Sequence, residues 1–399
     1  MILGLQYVRG IAAMMVVYHH TGFQVLKATG HLALPLWHIG AAGVDLFFVT
    51  SGFIMWVTTQ DTHVTAAEFC YRRIARIAPL YWLATLFLLG VSLLAPHLLA
   101  TIKFDPWHAV ESLFFLPVGH PILTGEALPF IIQGWTLNYE MFFYALFALV
   151  LLLAPEFRFA TLIGALAALA VVGLLVQFEN LQAKFYTSTI VLEFAFGVAI
   201  GALHTRARSE IPPFWAAALG ALGVVALLLV GMNGYGPSGF DPMRALIWGV
   251  PAAAMVFGVV MLDRAGHMGR SQSLLRLGDS SYSLYLTHIF TLPLTVIAWR
   301  AAGLGFTGLW FVAYTVLGMA ASALVGWLTY AAVERPITRM LRDLRFSPGL
   351  PRVHHRATTV VPIDGGAPHR CRPNRLNVSR MLRGRGPSHR FRRGSGPAA

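Results

Sequence analysis

Two polar residues on the first apolar segment, Arg9 and His20, have the types and spacing of a reactive pair. Eleven helical residues return the chain to within about 20° of its starting direction, so both side chains share a face, whereas His19 points about 80° away. Their axial separation is about 16 Å at about 1.5 Å per residue. A neutral imidazole accepts protons and a guanidinium binds phosphate. The pair therefore predicts a proton-transfer site and an anion site on one helix.

Two carboxylic acids lie at a similar depth in later apolar segments. Asp45 and Glu140 each follow the expected start of a segment by about six residues, and both segments are expected to begin on the outer side. A carboxylate beside a histidine orients the ring for general base catalysis. We expect His20, Asp45 and Glu140 to share the outer third of the membrane. The alternative is that the two acids pair with basic or amide groups only to hold helices together.

Further polar residues recur at helical spacing. Arg73 and Arg76 are three residues apart on one helical face and are suited to binding phosphate, with positive-inside anchoring as the alternative. Ser281, Tyr285 and His288 follow one another at i, i+4 and i+7, which predicts a polar stripe on a second helix.

The elements that carry these residues are long apolar segments. Of 399 residues, 56% are hydrophobic and 12% are charged, whereas soluble domains are about one quarter charged. The surplus apolar surface requires lipid as its solvent. The sequence predicts an all-α, polytopic membrane protein of about ten transmembrane helices, at residues 5–22, 39–59, 78–95, 134–153, 159–177, 186–203, 213–231, 243–262, 282–300 and 309–332. The longest connection, 96–133, is expected to be re-entrant or to lie on the outer surface.

The distribution of arginine predicts the orientation. The connections 60–77, 204–212 and 263–281 are arginine-rich and those between them are poor, so even-numbered helices should end in the cytoplasm. Both termini are then cytoplasmic. We expect a multi-pass protein of a bacterial-type inner membrane whose first helix is retained rather than cleaved as a signal peptide.

The C-terminal segment differs from the rest of the chain. The net charge is +13, and half of the 30 basic residues lie from Arg335 onward. This segment is rich in Pro, Gly, Ser, His and Arg and lacks periodic apolar residues, so we expect a transmembrane domain at 1–336 and a disordered cytoplasmic tail at 337–399. The tail is suited to anionic lipid, with RNA or a protein partner as the alternative. Net charge alone does not indicate nucleic-acid binding by the whole protein, and no metal-ligand spacing occurs.

Seven segments, in order, resemble the acyltransferase 3 family of membrane acyltransferases, particularly its exopolysaccharide and O-antigen acetyltransferases. They are LQYVRGIAAMMVVYHH (5–20), GVDLFFVTSGFIM (43–55), YRRIARIAPLYW (71–82), GWTLNYEMFFYALF (134–147), LEFAFGVAIG (192–201), GDSSYSLYLTH (278–288) and VERP (333–336). The resemblance covers nearly all the predicted spans and leaves residues 337–399 outside it.

The resemblance implies about ten helices and transfer of an acyl group, usually acetyl, from cytoplasmic acyl-CoA to a saccharide or lipid-linked glycan. The family's arginine–histidine motif corresponds to Arg9 and His20. Its paired arginines and two acidic positions correspond to Arg73, Arg76, Asp45 and Glu140. We expect Arg9, Arg73 and Arg76 to bind acyl-CoA, and Trp135, Tyr285 and His288 to contact the substrate. Membrane lipids and glycan-assembly proteins are the other expected partners, with no metal and no nucleic acid.

Two mechanisms and one rival function follow. His20 either removes the proton from an acceptor hydroxyl, which then attacks the thioester, or forms a covalent acyl-histidine. The rival is a proton-coupled secondary transporter or flippase, because proton relays also use His, Asp and Glu inside the membrane. Such transporters often have two related halves with broken helices, which we do not find here.

Overall fold

The computed structural model describes residues 2–31, 37–60, 62, 64–96, 104–123, 125–176, 178–206, 211–234, 236 and 239–343. Helices account for most of these residues, and the all-α prediction is confirmed. Residues 337–343 were assigned to the disordered tail, but they form the last described helix, where the Leu341 carbonyl accepts a hydrogen bond from the Tyr71 hydroxyl. The rest of the predicted tail lies outside the described residues.

Fourteen α-helices occur in the described ranges. They are α1 (Leu3–Thr29), α2 (Gly43–Thr59), α3 (Ala66–Leu94), α4 (Pro106–Leu113), α5 (Trp135–Leu151), α6 (Pro155–Leu175), α7 (Leu181–Tyr186), α8 (Val191–Arg206), α9 (Pro213–Met232), α10 (Val250–Arg264), α11 (Gln272–Asp279), α12 (Ser281–Ala301), α13 (Gly308–Thr329) and α14 (Arg335–Asp343). A 3₁₀ helix, Trp37–Ala42, precedes α2, and π-helical turns at Ala245–Gly249 and Tyr330–Glu334 lead into α10 and α14.

Nine helical stretches in the described part of the chain are long and apolar enough to cross a membrane, and they match the second to tenth predicted spans. The first predicted span, α1, has 27 residues, but residues such as Arg9, His19 and His20 make it more polar. Helix α1 packs against α2, α10, α11, α12 and α13. It therefore places its polar side chains against protein, while α6, α9 and α13 are largely exposed and suited to lipid contact.

Close packing of α2 and α8 depends on two glycines. A Cβ atom on Gly52 would lie 2.1 Å from the Phe194 carbonyl oxygen, and one on Gly197 would lie 2.0 Å from that of Val49. Small residues of this kind let helix backbones approach each other where lipid provides no hydrophobic driving force. The two glycines therefore fix the position of α2, which carries Asp45.

The described part of the long connection after α3 packs against α3 and α5. The Asp105 side chain caps α4 by accepting a hydrogen bond from the His108 backbone N–H (2.9 Å), and the Trp82 indole of α3 donates to the Leu113 carbonyl (2.8 Å). Helix α4 has eight residues, which is too short to span a membrane. The buried side chains of Phe130 and Ile131 then lead into α5.

Candidate active site

Both residues of the predicted pair, Arg9 and His20, contact α12. The Arg9 guanidinium donates to the Ser281 hydroxyl (3.0 Å) and to the Gln6 side-chain oxygen (3.1 Å). Eleven residues further along α1, the His20 ring lies 4.8 Å from the His288 ring, measured between centroids. Arg9 and His20 thus share the face of α1 that packs on α12, as their spacing predicts.

Arg9 lines a cavity of about 240 Å³, which we call the arginine cavity. Its polar lining includes three guanidinium groups, from Arg9, Arg73 and Arg76, and the carboxylate of Glu140. The Arg73 guanidinium also lies 5.5 Å from the centre of the Phe69 ring. Cationic groups outnumber the acid among these lining residues, so the cavity suits a phosphate-bearing ligand. The remaining wall, which includes Phe47, Ile54 and Met55, is apolar.

Glu140 belongs to the arginine cavity and does not share a cavity with His20. Its carboxylate accepts hydrogen bonds from the Ser51 hydroxyl (3.3 Å) and the Tyr144 hydroxyl. The depth estimate contained no information on which side chains face each other. Glu140 lies one helical turn beyond Thr136, whose hydroxyl meets Tyr285 at the boundary between two cavities, and this turn puts Glu140 on the arginine side.

Asp45 bonds a residue other than His20. Its two oxygens accept hydrogen bonds from Nε (3.1 Å) and Nη2 (2.8 Å) of Arg244, and both residues are buried. The structure therefore supports the alternative that Asp45 pairs with a basic group. Sequence reasoning missed Arg244, although an arginine at the edge of an apolar segment is a signal, because a charge in such a position needs a partner.

A second cavity of about 240 Å³ contains His20, and we call it the histidine cavity. Trp135, Arg244 and Glu126 contribute to its lining, and the Arg244 guanidinium lies 5.7 Å from the centre of the Trp135 ring. Glu126, from the long connection after α3, is the lining carboxylate that sequence reasoning missed. Trp135 lines this cavity, so a ligand bound here would contact it, and its contact with substrate stays a prediction.

The hydrogen bonding of His20 defines which nitrogen is available. Its Nδ1 lies 2.9 Å from the carbonyl oxygen of Val16, one turn earlier on α1. A carbonyl oxygen only accepts hydrogen bonds, so this contact assigns the proton to Nδ1 and the lone pair to Nε2. The ring is partly exposed in the histidine cavity. It can therefore accept a proton from a group bound there.

The two cavities meet at a layer formed by Val44 and Tyr285, which line both of them. The Tyr285 hydroxyl donates to the Gln133 carbonyl (2.8 Å) and lies 2.7 Å from the Thr136 hydroxyl. Tyr285 thus holds α12 to α5 at the boundary. Because it lines both cavities, it would touch a ligand on either side, and its contact with substrate stays a prediction.

His288, in contrast, does not line either cavity. Its side chain is fully buried beside His20, so the expected direct contact with substrate is not supported. Within the described residues, no group of three or more His, Cys, Asp or Glu side chains is arranged to hold a metal ion.

Comparisons with known proteins agree on one family. Residues 2–331 match the model of an acyltransferase domain. The chain is 38% identical over 331 residues to the exopolysaccharide production protein ExoZ of Rhizobium meliloti (strain 1021), covering 82% of this chain and 98% of that protein. It is 29% identical to the acyltransferase MdmB of Streptomyces mycarofaciens, covering 84% and 90%. It is also 23% identical to the peptidoglycan O-acetyltransferase OatA of Listeria monocytogenes, covering 83% of this chain but 55% of that protein. No solved structure matches significantly.

Proposed function

The chain belongs to the acyltransferase 3 family, and we propose that it transfers an acyl group, most simply acetyl, from cytoplasmic acyl-CoA to a hydroxyl of a cell-surface saccharide or its lipid-linked precursor. The observation that carries this proposal is the pairing of an arginine cavity and a histidine cavity on the two sides of the Val44–Tyr285 layer. A donor with phosphates at one end and a reactive carbonyl at the other would use both.

The arginine cavity is the proposed donor site. Arg9, Arg73 and Arg76 would bind the phosphates of acyl-CoA. The apolar wall of the cavity would contact the thiol arm of acyl-CoA along its path toward Tyr285. The separation of Arg9 and His20 along α1, about 16 Å, is of the order of that arm's length. The arginine-rich connections predict that this end faces the cytoplasm of a bacterial-type inner membrane, with both termini inside.

The histidine cavity is the proposed acceptor site. Trp135 offers an aromatic face, while Arg244, Gln133 and Glu126 offer hydrogen-bonding groups to a saccharide. A mostly apolar pocket with a few fixed polar groups is the usual form of a ligand site. Because the related ExoZ is named for exopolysaccharide production, a saccharide is the favoured acceptor class.

His20 acts as the general base in the proposed reaction. Its Nε2 takes the proton from the acceptor hydroxyl, whose oxygen attacks the thioester carbonyl carbon. The new C–O bond forms, the C–S bond breaks, and the proton passes from His20 to the leaving thiolate. The available Nε2 lone pair is also what an acyl-histidine would require, and that intermediate would be distinguished by label retained on the protein in the absence of acceptor.

The test is transfer by the full-length protein in liposomes, with acetyl-CoA labelled on the acetyl group and a saccharide acceptor. We expect label on the saccharide with wild type and none with His20→Gln, while His20→Gln still binds CoA. His31→Gln, an exposed histidine just after α1, is the matched control and should transfer normally. Transfer by His20→Gln at the wild-type rate refutes the role of His20. Uptake of label without acylation refutes transferase function and favours a transporter.

A further inference from the structure

A third cavity, of about 310 Å³, lies where α2, α5 and α8 end and α6 begins, and the proposed reaction does not use it. We call it the rim cavity. All four helices contribute to its lining, through residues such as Gln60, Leu151, Arg158 and Arg206. The arginine distribution predicts that these helix ends face the cytoplasm. Because spanning helices end near the polar surface of the bilayer, the rim cavity belongs to the level of the lipid headgroups.

Two arginines of the rim cavity keep unused hydrogen-bond donors. Arg158 donates through Nε to the Leu153 carbonyl (3.0 Å) and through Nη2 to the Leu151 carbonyl (2.9 Å). Its Nη1 has no acceptor among the described residues. The Arg206 guanidinium lies 5.4 Å from the centre of the Phe159 ring, and no hydrogen bond or ion pair to it occurs in the described part of the chain. Both cations are therefore available to an anion.

Two neutral side chains of the same lining also have unused donors. The Gln60 side-chain oxygen accepts a hydrogen bond from the Thr205 hydroxyl (2.8 Å), which leaves the amide N–H groups for another acceptor. Trp56 is only 5% exposed, yet its indole N–H has no hydrogen-bond partner among the described residues. Buried donors are nearly always satisfied, because leaving one without an acceptor costs stability. The rim cavity thus lacks acceptors, which a ligand rich in oxygen atoms would supply.

Charge and apolar surroundings together define the class of ligand. Glu156 is the one carboxylate among the described lining residues, so two guanidinium groups and one carboxylate leave a net charge of +1. Phosphate oxygens accept strong hydrogen bonds from guanidinium groups. Val150 contributes to the apolar part of the lining, and Leu152 and Phe157, close by in sequence, are exposed. A phosphate attached to acyl chains would use both the cations and the apolar side chains, whereas a nucleotide would use only the cations.

We propose that the rim cavity binds the phosphate headgroup of an anionic phospholipid, whose acyl chains lie along the exposed surface of α5 and α6. Arg158, Arg206 and the Gln60 amide donate to the phosphate oxygens. Basic pockets between transmembrane helices on the cytoplasmic side are a recurrent form of headgroup site. The bound lipid joins the ends of four helices, and two of them, α2 and α5, also line the arginine cavity.

The test is native mass spectrometry of the full-length protein in micelles, titrated with phosphatidylglycerol and separately with zwitterionic phosphatidylcholine. Wild type should bind phosphatidylglycerol more tightly. Arg206→Gln should lower the affinity for phosphatidylglycerol about 5-fold, the effect of one basic residue near anionic lipid, and leave that for phosphatidylcholine unchanged. Glu156→Gln, which removes the opposing carboxylate, should raise the affinity for phosphatidylglycerol. Arg276→Gln is the matched control, because Arg276 is an exposed arginine of α11 that does not line the rim cavity.

Four outcomes overturn the proposal. Equal losses for Arg206→Gln and Arg276→Gln would show that general surface charge alone attracts the lipid. An unchanged affinity in Glu156→Gln would show that the headgroup does not lie in the rim cavity. Displacement of phosphatidylglycerol by equimolar CoA would assign the cavity to the phosphates of the acyl donor, and displacement by inorganic phosphate would assign it to the free ion. Circular dichroism verifies folding, and Gln60→Leu, which removes amide donors without a change of charge and should also weaken binding, replaces Arg206→Gln if the latter unfolds.

Discussion

The buried pair of Asp45 and Arg244 allows a double-mutant cycle that separates structural coupling from chemistry. Asp45 is fully buried and Arg244 is 3% exposed, and two hydrogen bonds of 2.8 and 3.1 Å join them. The values of about 0.2–1 kcal/mol measured for exposed ion pairs therefore do not apply. Removing one partner of a buried pair leaves an uncompensated charge and costs about 3–5 kcal/mol, whereas replacing both is often close to neutral.

We therefore expect Asp45→Asn and Arg244→Gln each to lower the free energy of unfolding by about 3–5 kcal/mol and the double variant to recover most of that loss. The measurement is unfolding by sodium dodecyl sulfate in mixed micelles, followed by circular dichroism. Ser322→Ala is the control, since it removes a buried hydroxyl whose hydrogen bond stays within its own helix, to the Gly318 carbonyl, away from the ion pair. Losses that add within about 0.5 kcal/mol would refute the coupling.

The same three variants address the role of Asp45 in transfer. If Asp45 acts by holding Arg244 in the histidine cavity, the double variant should regain stability without regaining the wild-type KM for the saccharide. A double variant with wild-type saccharide KM would show that Arg244 does not contribute to acceptor binding.

Two further predictions concern other parts of the fold. Gly52→Ala should greatly reduce the yield of folded protein, measured by size-exclusion chromatography, because its Cβ would lie 2.1 Å from the Phe194 carbonyl oxygen; Gly90→Ala, with no atom within 4 Å of its Cβ, should be tolerated and gain up to about 1 kcal/mol. The pKa of His120 lies below its usual 6.5 through burial and the nearby His108, and its Nδ1 accepts hydrogen bonds from the backbone N–H groups of Ile122 and Leu123. Because the folded-state pKa is the lower one, stability of this loop is complete above about pH 6.5 and is lost as the pH falls. Hydrogen exchange at these two amides should then accelerate; exchange that does not change from pH 7.5 to 5.5 would contradict this, and His120→Asn should reduce the pH dependence.

Much of the fold could be predicted because lipid imposes a simple rule on the sequence. Apolar runs of about 20 residues must be helices, since backbone groups in hydrocarbon have no other partner. The rule placed ten helices in the correct order, but it began α3 at residue 78, whereas the helix starts at Ala66. The first turns of α3 are polar, with a Thr65 cap and a Glu68–Arg72 ion pair. A prediction from hydropathy alone assigns such polar turns to a loop.

The site was predicted less completely, for a geometric reason. Helical phase relates residues on one helix, and it correctly assigned Arg9 and His20 to one face. It contains no information on which helix lies opposite. The partner of Asp45 is 199 residues away in sequence, and Glu140 turns toward the arginines because of how α5 is rotated in the bundle. Pairings of this kind depend on packing between helices.

The layer of Val44 and Tyr285 has a consequence for the energetics of the cell. A plasma membrane stores free energy as an ion gradient, worth about 2.3 kcal/mol per charge for each 100 mV, and a continuous water-filled passage would dissipate it. Val44 and Tyr285 line both cavities, and the Tyr285 hydroxyl is bound to Gln133 and Thr136 rather than left to hydrate. On the proposed arrangement, donor and acceptor cavities separated by this layer would let the protein carry out polar chemistry within the bilayer while it remains an insulator toward protons and ions.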